Sequence, residues 1–162
     1  MKNNDLEIDQ DLDFQRREWR YQRVGIGVLF AFVLAAALGV TGMGGPLSKG
    51  SVRDQDGHLI AEYERFVRRH ARSQVRLMIE NTSGEVRIAI NTSYLNQVAW
   101  RSIVPPPEAV VAEGNRRILL FRSASPQLLI QAEIEPQVAG SVHAEISAAD
   151  GPAIRFHQWS IF

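Results

Sequence analysis

The chain of 162 residues contains no cysteine, and this absence excludes a disulfide framework, a thiolate metal site and a cysteine nucleophile. It also lacks an excess of one charge, since 18 lysines and arginines balance 18 aspartates and glutamates. Nucleic-acid-binding proteins usually carry a strong basic excess, so we expect no nucleic-acid partner. The length fits one domain with an appendage rather than two full domains.

No charged residue lies between Arg23 and Lys49, a gap of 25 residues. Within this gap, residues 24–43 (VGIGVLFAFVLAAALGVTGM) are nearly all apolar and show no polar stripe, unlike a core helix of a soluble protein. At about 1.5 Å per residue, twenty residues span about 30 Å, the hydrocarbon thickness of a bilayer. We therefore predict one transmembrane helix over 24–43, which the glycines and proline of 44–46 terminate.

The charges on either side of this segment predict its orientation. Four arginines precede the segment closely, whereas Lys49 and Arg53 are the basic residues that follow it. The positive-inside rule then places the N-terminus in the cytoplasm and the C-terminal part outside the cytoplasmic (inner) membrane, in the periplasm. We expect a basic and aromatic cluster to anchor the helix at the membrane interface: Arg16, Arg17, Trp19, Arg20, Tyr21 and Arg23.

Residues 1–23 form a cytoplasmic tail in this interpretation. Acidic residues come first and arginines last, an order that suits a helix dipole, so we expect the tail to be helical. A cleaved signal peptide is the alternative. The region before the apolar run of a signal peptide is short and basic, whereas this one is long and carries six acids, so we expect the anchor to be retained.

Small residues recur at every fourth position of the predicted helix, at Ala31, Ala35 and Gly39. Such a ridge lets two helices approach closely in lipid, so these residues are candidate contacts for a homo-oligomer or another membrane protein. Alanine and glycine are also common in transmembrane helices, and this simpler explanation stays open.

After a linker over 44–57, short apolar runs alternate with turn residues about every ten positions. Several runs alternate strictly between apolar and polar residues, which is typical of an antiparallel sheet with one buried face. The residues that we expect to face inward are Val75, Leu77, Ile79, Leu128, Ile130, Ala132, Ile134, Val142, Ala144 and Ile146. The pattern predicts a mainly β domain over 58–162, an immunoglobulin-like antiparallel β-sandwich of seven to eight strands. The predicted strands are Leu59–Phe66, Gln74–Glu80, Glu85–Ile90, Val98–Val104, Arg117–Arg122, Gln127–Glu133, Gly140–Ser147 and Ala153–Phe162.

Turn residues between these runs predict how they connect. Asn81–Gly84 is expected to join the second and third strands as a hairpin, and the turn Asp150–Pro152 joins the last two strands. The one helical turn that we expect after residue 50 lies near Tyr94–Gln97.

No motif for catalysis or metal binding accompanies the strands. The four histidines lack zinc-site spacing, and Asp54–Gly57 fails the register of a calcium loop. The sequence also has no nucleophile elbow and no phosphate-binding glycine loop. We therefore expect no metal, no cofactor and no enzymatic activity. An enzyme site assembled from His143, Glu145 and His157 is the alternative that the sequence leaves open.

Five arginines lie within 12 residues that contain no acid: Arg65, Arg68, Arg69, Arg72 and Arg76. If they share an exposed loop, they are candidate contacts for anionic lipid headgroups or for an acidic partner surface. The alternative is that they form ion pairs with Glu62, Glu64 or Glu80, each worth under about 1 kcal/mol.

Three segments carry a resemblance to a known family: DLEIDQDLDFQRREWRYQR before the apolar run, GPLS after it, and AEYERFVR further on. With the apolar span, they make the chain similar to uncharacterised bacterial single-pass membrane proteins that combine a short cytoplasmic N-terminus with an extracytoplasmic immunoglobulin-like β domain. The resemblance implies no activity. It does imply a multi-pass membrane protein as a partner, because genes of this kind often neighbour a gene for one.

These features together lead us to expect a membrane-anchored, non-enzymatic interaction or accessory protein. Its sandwich would be displayed outside the cytoplasmic membrane, and the lipid bilayer would be its first partner. A signalling component that relays an extracytoplasmic event to the short cytoplasmic tail is the alternative function.

Overall fold

The computed structural model describes residues 12–38, 48–80, 84–148 and 151–162. The chain divides after Ala37 into a helical unit and a β unit. The helices are α1 (Leu12–Ala37) and α2 (Thr92–Gln97). The strands are β1 (Lys49–Arg53), β2 (Leu59–Glu64), β3 (Phe66–Arg68), β4 (Ser73–Glu80), β5 (Gly84–Asn91), β6 (Val98–Val104), β7 (Ala109–Glu113), β8 (Arg116–Ser123), β9 (Gln127–Pro136), β10 (Gly140–Ala148) and β11 (Ile154–Ile161).

The strands form two sheets that face each other across one core. The five-stranded sheet has the order β1-β2-β4-β9-β6, and the six-stranded sheet has the order β3-β11-β10-β5-β8-β7. All described neighbours are antiparallel except β3 and β11, which are parallel. The prediction of a mainly β, antiparallel sandwich is confirmed, but the sandwich has 11 strands rather than seven to eight.

Seven of these strands have the order of an immunoglobulin constant domain. That domain pairs strands A-B-E-D in one sheet and C-F-G in the other. Taken in chain order, β2-β4-β9-β6 and β5-β10-β11 reproduce this arrangement. β1, β3 and the β7–β8 hairpin are additional, so the fold is a larger sandwich and not strictly an immunoglobulin domain.

The sequence pattern missed the short strands at the sheet edges. β1 lies within residues that we interpreted as a linker, and it pairs with β2. β7 lies between the prolines of 105–107 and the turn at Gly114–Asn115. Arg65 interrupts the first predicted strand, so its two parts, β2 and β3, belong to different sheets. β1 (KGSVR) has one large apolar residue, and β7 (AVVAE) does not alternate between apolar and polar residues, so neither shows the pattern of a half-buried strand.

The hairpin predicted at Asn81–Gly84 is wrong in its pairing. β4 pairs with β2 and β9, whereas β5 pairs with β10 and β8 in the other sheet. The chain therefore crosses between the sheets after β4. Turn residues show that the chain reverses there, but they do not show which strands exchange hydrogen bonds; residues 81–83 themselves lie outside the described part. The other predicted pairing, between the last two strands, is confirmed as β10–β11.

The predicted inward-facing residues do form the core. Val75, Leu77 and Ile79 of β4 are at most 3% exposed, and Leu77 lies between Ala61 and Ile130 in the register of the sheet. The inward rows of β9 and β10 are buried in the same way: Leu128, Ile130, Ala132, Ile134, Val142, Ala144 and Ile146. Burial of each large aliphatic side chain contributes about 1.5–3 kcal/mol, so this shared core is the main source of stability.

A buried polar contact joins the two sheets beside this core. Tyr94, on the helical turn that the sequence predicted and the structure shows as α2, is fully buried. Its hydroxyl donates to Oε1 of Gln158 on β11 at 2.7 Å, and Nε2 of Gln158 donates to the carbonyl oxygen of Glu64 on β2 at 2.8 Å. Burial raises the pKa of the Tyr94 hydroxyl, which stays a neutral donor.

We predict that Tyr94→Phe lowers the free energy of unfolding by about 1–3 kcal/mol, because it leaves the buried Oε1 of Gln158 without its donor while the ring still fills its space. Tyr63→Phe is the matched control. Tyr63 is only half-buried, whereas Tyr94 is fully buried, so we expect a change within about 0.5 kcal/mol. Denaturant unfolding of the full chain, followed by far-ultraviolet circular dichroism, measures both. Equal effects of the two substitutions would contradict the role given to Gln158.

Candidate functional site

The five arginines predicted as one exposed loop are exposed, but they do not form a single loop. Arg68 ends β3, and Arg69 and Arg72 lie between β3 and β4. Arg65 lies between β2 and β3, and Arg76 is inside β4, on the outer face of the five-stranded sheet. The prediction of one contiguous basic loop is therefore corrected: elements of both sheets carry these residues.

Two of the arginines are held by the end of β9 and the turn after it. Arg69 donates from Nε to the carbonyl oxygen of Gln137 at 3.0 Å, and its backbone N–H donates to the carbonyl oxygen of Ile161. Nη1 of Arg72 lies 3.3 Å from Oε1 of Glu133. Arg72 thus forms an ion pair, as the alternative interpretation expected, but with a distant acid rather than with Glu62, Glu64 or Glu80.

Glu135 is the centre of a polar network next to these arginines. Its carboxylate accepts a hydrogen bond from Nε of Arg101 at 2.9 Å and one from Nε2 of Gln137 at 3.1 Å, and Nδ1 of His70 lies 3.7 Å away. The hydrogen bonds from Arg101 and then Gln137 lower the pKa of Glu135 to about 2. The network ties β6, β9 and the β3–β4 loop together and so stabilises this end of the sandwich.

Arg65, Arg68 and Arg76 form no ion pair among the described residues, and of these three Arg76 lies opposite Glu62 in the β2–β4 register. The backbone of Arg65 is well fixed: its N–H donates to the carbonyl oxygen of Ser48, and its carbonyl oxygen accepts from the N–H of Trp159. Ser48 directly precedes β1. The exposed guanidinium groups of Arg65 and Arg68 are therefore available to an anionic ligand.

A polar recess of about 450 Å³ lies beside Arg76 on β1, β2 and β4. Two cations and two carboxylates face each other there, together with neutral side chains; the lining is Lys49, Gly50, Ser51, Glu62, Tyr63, Glu64, Gln74 and Arg76. The sequence does not reveal this site because its residues come from three strands, and only the register places them side by side. Its balanced charge suits hydrogen bonding to a polar ligand.

The histidine site left open by the sequence lies on the outer face of the six-stranded sheet. His143 and His157 are opposite each other in the β10–β11 register, with ring centroids 6.2 Å apart. The Glu145 carboxylate, however, is paired with Arg116 at 3.1 Å and with Arg155 at 3.2 Å. The recess around these groups holds about 200 Å³, below the usual size of ligand pockets. No cluster of three metal-ligating side chains occurs in the described ranges.

The helical unit has the composition of a membrane segment. Arg17–Ala37 of α1, 21 residues, is long and apolar enough to cross a membrane. Its large apolar side chains are exposed, for example Phe30 at 70% and Phe32 at 68%. A signal sequence near an N-terminus has the same properties, so α1 is a candidate signal anchor or signal sequence.

The predicted anchor residues that can be described lie at the start of this segment. The guanidinium carbon of Arg23 lies 3.5 Å from the ring centroid of Trp19, a cation–π stack that pairs a charge with an aromatic face. Trp19, Arg20 and Tyr21 are exposed. The side chain of Arg16 lies outside the described part, and so does Gly39 of the predicted small-residue ridge, whereas Ala31 and Ala35 are both within α1.

Comparisons with known proteins concern the β unit. No protein-family model matches the chain, and no curated protein matches its sequence. It is similar to a solved non-cellulosomal cohesin from the hyperthermophilic archaeon Archaeoglobus fulgidus, with 13% identity over 60% of this chain and 86% of that one and a TM-score of 0.38. It is also similar to the C-terminal domain of the Streptococcus agalactiae AgI/II polypeptide BspA, with 12% identity over 70% of this chain and 49% of that one and a TM-score of 0.41. At these sequence identities and TM-scores, the similarity supports no conclusion about the function of this chain.

We predict that Arg101→Gln destabilises the sandwich at neutral pH and that this effect disappears in acid. The folded-state pKa of Glu135 lies below its ordinary value of 4.5, so its contribution is complete above that value and is lost as the pH falls toward about 2. In the Arg101→Gln variant, the free energy of unfolding should therefore fall less between neutral and acid pH than it does in the unchanged chain.

Arg122→Gln is the control for this experiment, because its ion pair with Glu108 at 3.4 Å joins two exposed side chains and solvent screens it. Chemical denaturation of each variant between neutral and acid pH measures the effect. If Arg101→Gln and Arg122→Gln show the same pH dependence, the network around Glu135 does not have the proposed importance.

Proposed function

We propose that the protein is a membrane-anchored, non-enzymatic interaction or accessory protein that displays an immunoglobulin-like sandwich outside the cytoplasmic membrane. The observation that carries the proposal is the apolar segment Arg17–Ala37, whose side chains are exposed along the helix. An apolar helix exposed on all faces is stable where lipid replaces water around it. The proposal takes α1 as a retained anchor rather than a cleaved signal sequence, since six acids precede the apolar run.

The orientation in this proposal has the N-terminus in the cytoplasm. Four arginines lie within eight residues before Val24, where the charge-free run begins, and positive charge is retained on the cytoplasmic side. The stacked pair of Trp19 and Arg23 suits the headgroup region, where an aromatic ring and a charge are both solvated. The sandwich would then be periplasmic.

The polar groups of the sandwich support binding rather than catalysis. Two of the carboxylates that could act as a general acid or base are engaged: Glu145 by two arginines, and Glu135 by Arg101 and Gln137. Proton transfer needs a group within hydrogen-bond reach of a substrate and with a matched pKa. Neither carboxylate is free to fill that role, and this supports a binding function.

A signalling component is the second candidate, and one observation favours it. α1 runs without interruption from Leu12 to Ala37, so part of the tail and the apolar segment are one helix. A movement of such a helix along or about its axis would also displace the cytoplasmic residues. Ala31 and Ala35 are proposed contacts for a second helix, either of another copy or of a multi-pass membrane protein.

We predict that the full-length chain with a C-terminal tag stays in the membrane pellet after carbonate washing, keeps its complete intact mass, and loses the tag to protease in spheroplasts. These three measurements test anchoring, retention and orientation separately.

Crosslinking in native membranes, followed by affinity purification and mass spectrometry, then tests the partner. Crosslinks from the sandwich support the accessory function, and crosslinks from the tail to a cytoplasmic protein favour the signalling function. Cleavage of the chain, or its release into the soluble fraction, would overturn both the accessory and the signalling function.

We also propose that Arg65 and Arg68 contact anionic lipid headgroups, because each is worth about 1 kcal/mol near a negatively charged surface. In nanodiscs, hydrogen exchange of the segment around these residues should slow when anionic lipid replaces neutral lipid. Changing both arginines to Ser should abolish the difference. Arg72→Ser is the matched control and should preserve it, because Arg72 is paired with Glu133. Exchange that does not depend on lipid charge would refute the contact.

A further inference from the structure

The two sheets have four edge strands, namely β1 and β6 in one sheet and β3 and β7 in the other. Natural proteins protect such edges with short strands, bulges, prolines or charged residues, because an open edge pairs readily with another strand. Three edges here have such a device. β3 has three residues, β6 is interrupted by a register shift between Trp100 and Ser102, and β1 carries Lys49 and Arg53 at its two ends.

β7 is the least protected edge, because its one charged residue is Glu113 at its end, where it lies beside Arg87. Its sequence AVVAE contains no proline, lysine or arginine, and its five residues pair with β8 in unbroken register. All five residues are exposed, including Val110 at 54% and Val111 at 47%. Since β8 occupies one side of β7, the backbone groups on the other side of this strand are free to accept a further strand.

The charges near β7 are neutralised within the chain. Glu113, at its end, lies 3.7 Å from Nη2 of Arg87, and Glu108, just before it, lies 3.4 Å from Nη2 of Arg122. Another strand approaching this edge would therefore meet two valines and two alanines rather than an uncompensated charge. The free edge of β7 therefore favours pairing with a short apolar strand.

We propose that β7 pairs with β7 of a second copy of this chain, antiparallel and about a twofold axis through Val111. In this register Val111 faces Val111 of the second copy, Val110 faces Ala112, and Ala109 faces Glu113. No two glutamates are opposite each other, which matters because like charges on directly opposed residues destabilise a sheet. The contact is isologous, so it closes as a dimer and joins the two six-stranded sheets into one continuous sheet.

The strength of this pairing rests on the proposed membrane anchor. One pair of five-residue strands is smaller than the interfaces of about 1,200–2,000 Å² that hold stable complexes in solution. Two copies confined to the same membrane meet at a raised effective concentration, which makes a weak contact sufficient. We therefore expect dimers in the membrane that dissociate when the protein is extracted and diluted.

The absence of native cysteine makes the register directly testable. Opposite residues of an antiparallel pair have their Cα atoms about 4.5–5.5 Å apart, within the range that a disulfide spans. We expect Val111→Cys to form a disulfide-linked dimer in native membranes when copper phenanthroline and air oxidise the two thiols. Glu113→Cys is the control on the same strand and face. In the proposed register its two copies are offset by four residues, about 14 Å, and form no disulfide.

A mixed sample tests the register further. Ala109→Cys alone should form no dimer, for the same reason as Glu113→Cys, but co-expression of the two variants should give a disulfide between them. Circular dichroism of each variant checks that the sandwich is folded. No dimer from Val111→Cys, equal dimer from Glu113→Cys alone, or a disulfide from Val111→Cys to a different protein would each overturn pairing with a second copy.

Carbonate washing of the same membranes separates this inference from the proposed function. If the chain is released but Val111→Cys still crosslinks in the expected register, the anchor is wrong and the strand pairing stands. If the chain is retained but does not crosslink, the anchor stands and the pairing is wrong. Ala35→Ile, combined with Val111→Cys, adds one more test: crosslinking in the proposed register should persist, because β7 and not the helix ridge makes the contact.

Discussion

Each interior strand of the sandwich has one apolar face, and the need to remove that face from water determines most of the structure. A single sheet would leave its apolar face exposed, so the two sheets cover each other. The inward rows of β4, β5, β9 and β10 meet in one cluster of buried side chains. The crossing of the chain between sheets after β4 and the polar contact from Tyr94 to Gln158 both belong to this packing.

The same requirement explains where the surface is open. A sheet that is not closed into a barrel must end, and its last strand has backbone groups without a strand partner on one side. In this sandwich a bulge, a very short strand and basic residues protect β6, β3 and β1, but not β7. An edge left open in this way is a place where the fold itself offers hydrogen bonds to another chain, independently of any pocket or catalytic group.

The sequence predicted the features that depend on local pattern and missed those that depend on pairing. Alternation identified Leu77, Ile130 and Ala144 as inward-facing, because the side-chain period of a strand holds in any sheet. It did not reveal that β4 and β5 belong to different sheets. The partner of Arg72 was missed for the same reason, since Glu133 is 61 residues away and comes close only through the β4–β9 register.

The arginine-rich segment 65–76 shows the same difference between what local pattern reveals and what strand pairing determines. Arginine density along the chain identified residues 65–76 as unusual, but only the structure shows that Arg69 donates to a backbone carbonyl and that Arg72 forms an ion pair. Arg65 and Arg68 form no ion pair among the described residues. A charge already paired gains little from a new ligand, because the new contact replaces an existing one. Recognition by this sandwich is therefore best placed where its own contacts are incomplete, at these two guanidinium groups and along the edge of β7.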